Sequence, residues 1–192
     1  MKENYKLIID NITKYTSYEY DDFYDELNKL EQVKISKLKD SERRKQELLA
    51  YHILINELNS NNFTYNEDGK PSNDSDTYFN IAHQDNIVVI ILAKSNVGIS
   101  IEKIKPRVID ENTFTSSEIK KIKKSENINE EASRIRTLKK AYLKMISKKN
   151  DEVNDIEFKL NKKITCNKGK ETFINKKYHS YMIGICINEK EA

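Results

Sequence analysis

Three places in the chain carry side chains whose types and spacing could do chemistry. The first is Phe79-Asn80-Ile81-Ala82-His83, where a histidine closes an apolar segment. The second is Val97-Gly98-Ile99-Ser100-Ile101-Glu102, an apolar strand pattern with one acid. Residues two apart in a strand share a face, roughly 7 Å apart along the chain. Positions 100 and 102 therefore point together. Two carboxylates there would suit one hard cation, whereas serine offers a neutral oxygen and is a poor ligand by itself. A chain that once bound a metal would leave such a trace, and so would a chain with nothing to bind. The third is Arg136, Lys140 and Lys144, spaced i, i+4, i+8 and so on one face of a helix. Neighbouring cations there repel by about a few tenths of a kcal/mol. The stripe is either a solvated basic face or a cradle for an anion.

Other motifs are excluded. The glycines, at 69, 98, 169 and 184, form no GxGxxG or phosphate loop; Gly69-Lys70 lacks the upstream glycine and the following Ser/Thr. There is no GxSxG. His52 falls on the apolar face of a helix and reads as a core residue, and His179 stands at a strand start, on the surface. Cys166 and Cys186 lie far apart with no CxxC, which speaks against zinc and fits a reduced compartment.

The elements that must hold these residues follow from periodicity. Tyr5–Ile9 reads as a strand, and residues 20–30 and 41–58 as helices, the latter opening at Ser41. Residues 59–77, rich in Asn, Asp and Ser, form a loop. Strands are expected at 78–83, 86–94 and 97–104, the first two joined by a tight turn at Gln84-Asp85. Helices follow at 116–124 and 130–148, then strands near 156–160, 163–166 and 181–187. The order predicts an α+β protein of two similar α/β halves packed side by side, residues 1–105 and 106–192.

Composition narrows the class. The 192 residues suit one domain or two tightly joined halves. Basic and acidic residues, 34 against 31, nearly balance at +3, so no nucleic-acid partner is demanded. Ile87–Ala93 is the longest apolar run, far below the ~20 residues that span a bilayer. The start, MKENYKLIID, has no apolar signal core. The chain is expected to be cytoplasmic, away from membranes.

Taken in order, these segments resemble a family. "GKPSNDSDTYFNIAH" (69–83) resembles the GKP…FNISHS pattern of 4′-phosphopantetheinyl transferases of the surfactin-synthetase-activating type. "VGISIEKI" (97–104) is similar to their (V/I)GIDIE strand, and "RTLKKAYLK" (136–144) to their W(T/S)xKEAxxK helix. The upstream "SERRKQELLAYHIL" and the closing "YHSYMIGICI" fit as well.

The resemblance implies a pseudo-dimeric fold with the ligand site at the seam. It implies transfer of the phosphopantetheine arm of coenzyme A to a serine of an acyl or peptidyl carrier protein, with Mg²⁺, by a chain acting as a monomer. It places His83, Lys70, Arg44, Lys45 and Lys144 on coenzyme A, with the register at 44 and 45 open by a residue or two. Glu102 takes a metal and catalytic position, and Lys144 reaches the reaction centre. The pattern breaks where the family's other two acids stand, here Ser100 and Lys140; an ammonium cannot ligate a cation. Lys140 could then supply part of the missing charge, with Glu102 as its partner. The resemblance therefore implies weakened or metal-independent transfer, or a pseudoenzyme that keeps only binding.

Overall fold

The computed structural model describes residues 4–66, 69–148 and 150–188, with the backbone alone at 150–152. Strand β1 (Tyr5–Asn11) leads into helices α1 (Ser17–Asp25), α2 (Lys29–Ser36) and α3 (Ser41–Leu58). Strands β2 (Thr64–Tyr65), β3 (Pro71–Ser72), β4 (Tyr78–Gln84), β5 (Ile87–Ala93) and β6 (Val97–Lys103) follow. Helices α4 (Ser116–Lys124) and α5 (Ile128–Met145) precede β7 (Phe158–Leu160), β8 (Ile164–Cys166), β9 (Thr172–Tyr178) and β10 (Tyr181–Ile187). The fold is mixed α and β, with several small sheets and five helices among the described residues.

Local chemistry explains most boundaries. Thr16 and Thr115 each form a capping box, with Glu19 and Glu118, and so start α1 and α4. The single helix expected over 20–30 is instead two. Asn28 accepts hydrogen bonds from the backbone N–H groups of Leu30 and Glu31 and begins a new helix, α2, at that point. Asp40 caps α3 in the same way. Asn127 starts α5 slightly ahead of the expected residue 130, and the helix stops at Met145, before Ser147 turns to positive φ. Within the stretch expected as loop, β2 and β3 pair as a short hairpin whose residues 67 and 68 lie outside the described residues. The periodicity gave no sign of β9, an edge strand beside β10 whose lysines at 176 and 177 mask its alternation.

Two antiparallel sheets repeat one strand order: β1-β5-β4 and β6-β10-β9. In each, a leading strand is joined through helices to a hairpin whose second strand lies in the middle. β6 ends the first half by chain order, yet its hydrogen bonds go to β10 in the second sheet. The apolar run Ile87–Ala93 is buried along its whole length because both its faces are covered. Val88, Ile90 and Leu92 pack under α3, against Leu49 and Leu54. Val89, Ile91 and Ala93 join Val97, Ile99, Ile183 and Ile185 in a cluster shared by both sheets. Asn80 of β4 ties the sheets together: its Oδ1 accepts the Ile99 N–H of β6 at 2.9 Å. A third cluster seats α5 through Ile135, Leu138 and Tyr142 against Phe158 and Phe173.

Candidate functional site

Helix α5 lies unusually close to sheet two because two glycines let it. A Cβ on Gly98 would fall 1.9 Å from the Ala141 carbonyl oxygen, and one on Gly184 2.4 Å from the Thr137 carbonyl carbon. Gly184 stands opposite Ser100 in the ladder. The face of β6 that carries Gly98, Ser100 and Glu102 is thereby pressed against α5. Ser100 and Glu102 are both buried.

Glu102 is not alone there. The Nε of Arg136 donates to both its carboxylate oxygens, at 3.0 and 3.2 Å. Nη2 lies 2.9 Å from Oε1, a charge contact outside hydrogen-bond geometry, and is buried without an acceptor. The two side chains are 7% and 2% exposed. The guanidinium also sits 5.5 Å from the centre of the Phe114 ring. The partner of Glu102 is therefore Arg136, not Lys140. Lys140 is half-buried and makes no ion pair or hydrogen bond among the described residues. One residue earlier, Lys139 points the opposite way and forms a fully buried pair with Glu118 at 2.6 Å.

Two turns further along α5 the surroundings change. Lys144 donates to the Ile81 carbonyl at 2.9 Å. With Gly69, Lys70, Ile81, Leu143 and Lys148 it lines a cavity of about 350 Å³. Desolvation, then the charges of Lys140, Arg43 and Lys70, push its pKa down to about 8, against a single opposing carboxylate, Glu47. The residue keeps an exposed surface, so water screens part of this effect. A larger hollow, about 710 Å³, opens near Tyr5, Lys94 and Ile187 and holds none of these groups.

His83 lies beside this cluster. Arg43 Nη1 is 3.2 Å from its Nδ1. A guanidinium only donates, so Nδ1 accepts and the ring proton sits on Nε2. Burial first, then Arg43 and Lys144, lower the His83 pKa to about 4, leaving it neutral at pH 7. Arg43 also pairs with Glu47 one turn along α3. Burial raises the Glu47 carboxyl, while Arg43 and Lys144 pull it back.

The remaining expected residues lie elsewhere. Arg44 is exposed and donates to the Leu38 carbonyl at 2.6 Å, and Lys45 lies 5.5 Å from the Tyr20 ring centre. A helix turns about 100° per residue, so Arg43, and neither member of that basic pair, faces His83 of β4. Lys70 lines the cavity, but its ammonium reaches the carbonyls of Lys144 and Val97 and the side chain of Asn96. Asn96 in turn donates to the Met145 carbonyl. Together they satisfy the open carbonyls at the end of α5. Sequence reasoning left open Arg43, and missed Glu47 and the role of Arg136. The spacing of Arg43 and Glu47, four apart on a helix, was a usable signal.

Among the described residues, no group of three or more His, Cys, Asp or Glu side chains is placed to hold a metal ion. No helix there is long and apolar enough to cross a membrane. No family model matches the chain. It is 36% identical, over 110 residues, to a protein named 4′-phosphopantetheinyl transferase gsp from Aneurinibacillus migulanus. The match takes in 53% of this chain and 46% of that protein, so less than half of the relative is represented.

Proposed function

We propose that the chain is a 4′-phosphopantetheinyl transferase-family protein, built of two α/β halves, that binds coenzyme A at their seam. The observation that carries this reading is the cluster of cations Arg43, Lys70, Lys140 and Lys144 beside the cavity, with the neutral donor His83 next to Arg43. Its positive charge is opposed by Glu47 alone. Crowded, partly desolvated cations raise the free energy of the empty site, and an anionic ligand relieves that cost. Coenzyme A offers a 3′-phosphate and a pyrophosphate. Arg43 and the Nε2–H of His83 suit a phosphate as donors. Lys144 and the half-buried Lys140 suit the pyrophosphate, and Lys70 holds the end of α5 beside them. The similarity to a protein named as a transferase supports the same reading.

In the reaction, a carrier-protein serine oxygen attacks the pantetheine-side phosphorus as its hydroxyl proton passes to water. The bond to the bridging oxygen breaks and 3′,5′-adenosine diphosphate leaves. Lys140 and Lys144 would stabilise charge gathering on the pyrophosphate. The residues at the metal position do not fit Mg²⁺. Mg²⁺ is usually held by one or two free carboxylates with substrate phosphates and water, and here the one carboxylate is already held by a guanidinium, with a serine and a lysine at the neighbouring positions. We therefore expect transfer that is weak or metal-independent.

A second reading follows from the Glu102–Arg136 pair. Where that pair has ended catalysis, the protein is a pseudoenzyme that binds coenzyme A or a carrier protein in a regulatory role. Transfer of a labelled coenzyme A arm to several apo carrier proteins, with Mg²⁺ and with chelator, separates the two. Slow, chelator-resistant labelling supports the transferase. Binding in calorimetry without labelling supports the pseudoenzyme. No coenzyme A binding at millimolar ligand overturns the transferase and leaves only a pseudoenzyme that binds a carrier protein.

A further inference from the structure

The pair formed by Glu102 and Arg136 has a consequence for what the site can bind. Both side chains are more than nine-tenths buried, and the carboxylate oxygens are engaged at 2.9 to 3.2 Å. Breaking such a pair leaves an uncompensated charge away from water, which is strongly unfavourable. A divalent cation seated at Glu102 would have to displace the guanidinium or lie against it. The neighbouring positions on the same strand face and helix stripe, Ser100 and Lys140, supply a neutral oxygen and a further cation. The face is also closed from above, since Gly98 and Gly184 hold α5 against the strands.

We infer that Arg136 is a built-in replacement for a divalent cation: it neutralises Glu102, excludes metal from the site, and lets an anionic ligand bind without one. The inference rests on the reading that this cleft takes coenzyme A. Arg136, Lys140 and Lys144 then form a stripe of fixed positive charge along α5, spaced roughly 6 Å per step. The first is neutralised by its own carboxylate and the last two face the ligand. The buried Nη2 of Arg136 has no hydrogen-bond acceptor among the described residues, only its charge contact with Glu102.

Two experiments test this. In the first, coenzyme A is titrated into the wild-type protein by calorimetry, with chelator and with Mg²⁺, and Mn²⁺ binding is followed by electron paramagnetic resonance. The expected result is the same affinity in both buffers, within about twofold, and no Mn²⁺ beyond that held by free coenzyme A. Affinity about tenfold weaker in chelator, or Mn²⁺ bound by the protein, overturns the inference while leaving the coenzyme A reading intact. If coenzyme A binds in neither buffer, the coenzyme A reading fails. The Mn²⁺ titration of the protein alone then decides whether Arg136 excludes metal: bound Mn²⁺ overturns that exclusion, and none supports it.

The second experiment restores carboxylates. Ser100→Asp with Lys140→Glu is compared with the same pair plus Arg136→Leu, each checked for native circular dichroism. Only the triple variant is expected to bind Mn²⁺, at least about tenfold tighter than the double. Equal binding by the two, or none by a folded triple variant, overturns the role of Arg136. Should the triple variant not fold, the wild-type Mn²⁺ titration carries the decision.

Discussion

The two ends of one helix face make opposite use of positive charge. At Arg136, one guanidinium meets one carboxylate, both are buried, and the pair sits under a helix held close by glycines. At Lys144, three further cations crowd an ammonium that opens onto a cavity, and one carboxylate opposes them. The same stripe of a helix thus reads as structure at one end and as ligand demand at the other. The difference lies in where the counter-charges stand, since burial penalises charge at both ends.

The comparison breaks first if the Arg136 end tolerates loss of its cation. Arg136→Leu should destabilise the fold by about 3–5 kcal/mol, because Glu102 is left buried and unpaired. Thermal unfolding should fall by on the order of 10 °C for a chain of this size. A shift no larger than that of an exposed arginine would show that the pair is not buried in solution. Next in size is Gly98→Ala. A Cβ there meets the Ala141 carbonyl oxygen at 1.9 Å, so α5 must move. We expect a loss of about 1–3 kcal/mol, together with weaker coenzyme A binding because Lys144 rides on the same helix. Unchanged affinity in calorimetry would uncouple the two ends.

Arg43→Ala should have the reverse profile. Coenzyme A affinity should fall by about tenfold or more, the range of a charge-assisted hydrogen bond, and stability should change little because relieved repulsion offsets the lost contacts. Arg44→Ala, whose side chain turns to Leu38, should leave affinity within about twofold. Equal losses from both would return the site to the register left open by the sequence.

The smallest effects are those of pH. Lys144 is held at about 8, below its ordinary 10.5. The cost of burying its charge is present below about pH 8 and is relieved as pH rises toward 10.5. Coenzyme A affinity should run the other way and weaken as pH rises through 8, where the ammonium is lost. His83 is held at about 4 against an ordinary 6.5. Its folded ring resists a proton that the unfolded ring accepts, so it lowers stability as pH falls from 6.5 toward 4. Substituting asparagine for His83 should flatten that part of a stability–pH curve, and an unchanged curve would place the imidazole in water.

Much of the fold was legible because its signals are local. The apolar periodicity of 41–58 and 116–124 and the alternation of 181–187 gave elements with the bounds observed. The run Ile87–Ala93 falls in the strand expected at 86–94, and its cover on both faces is what the structure adds. Asn28 shows the limit, since a side chain that can cap a helix or ride within one decides by its own hydrogen bonds. Of the candidate site, His83 and Lys144 could be named from sequence and are brought to one cluster. Their relation to Arg43, forty residues from His83, could not be seen.

By itself, the sequence determined which residues could carry charge or a proton and which faces of which elements they share. Those depend on side-chain type and on the repeat of a helix or strand. It could not decide who pairs with whom. Glu102 found Arg136 and not Lys140, because α5 rests on two glycines at one height and rotation above β6. Packing between distant segments sets that height, and electrostatics in a buried space then turns a few ångströms into the choice between a structural ion pair and an open site for an anion.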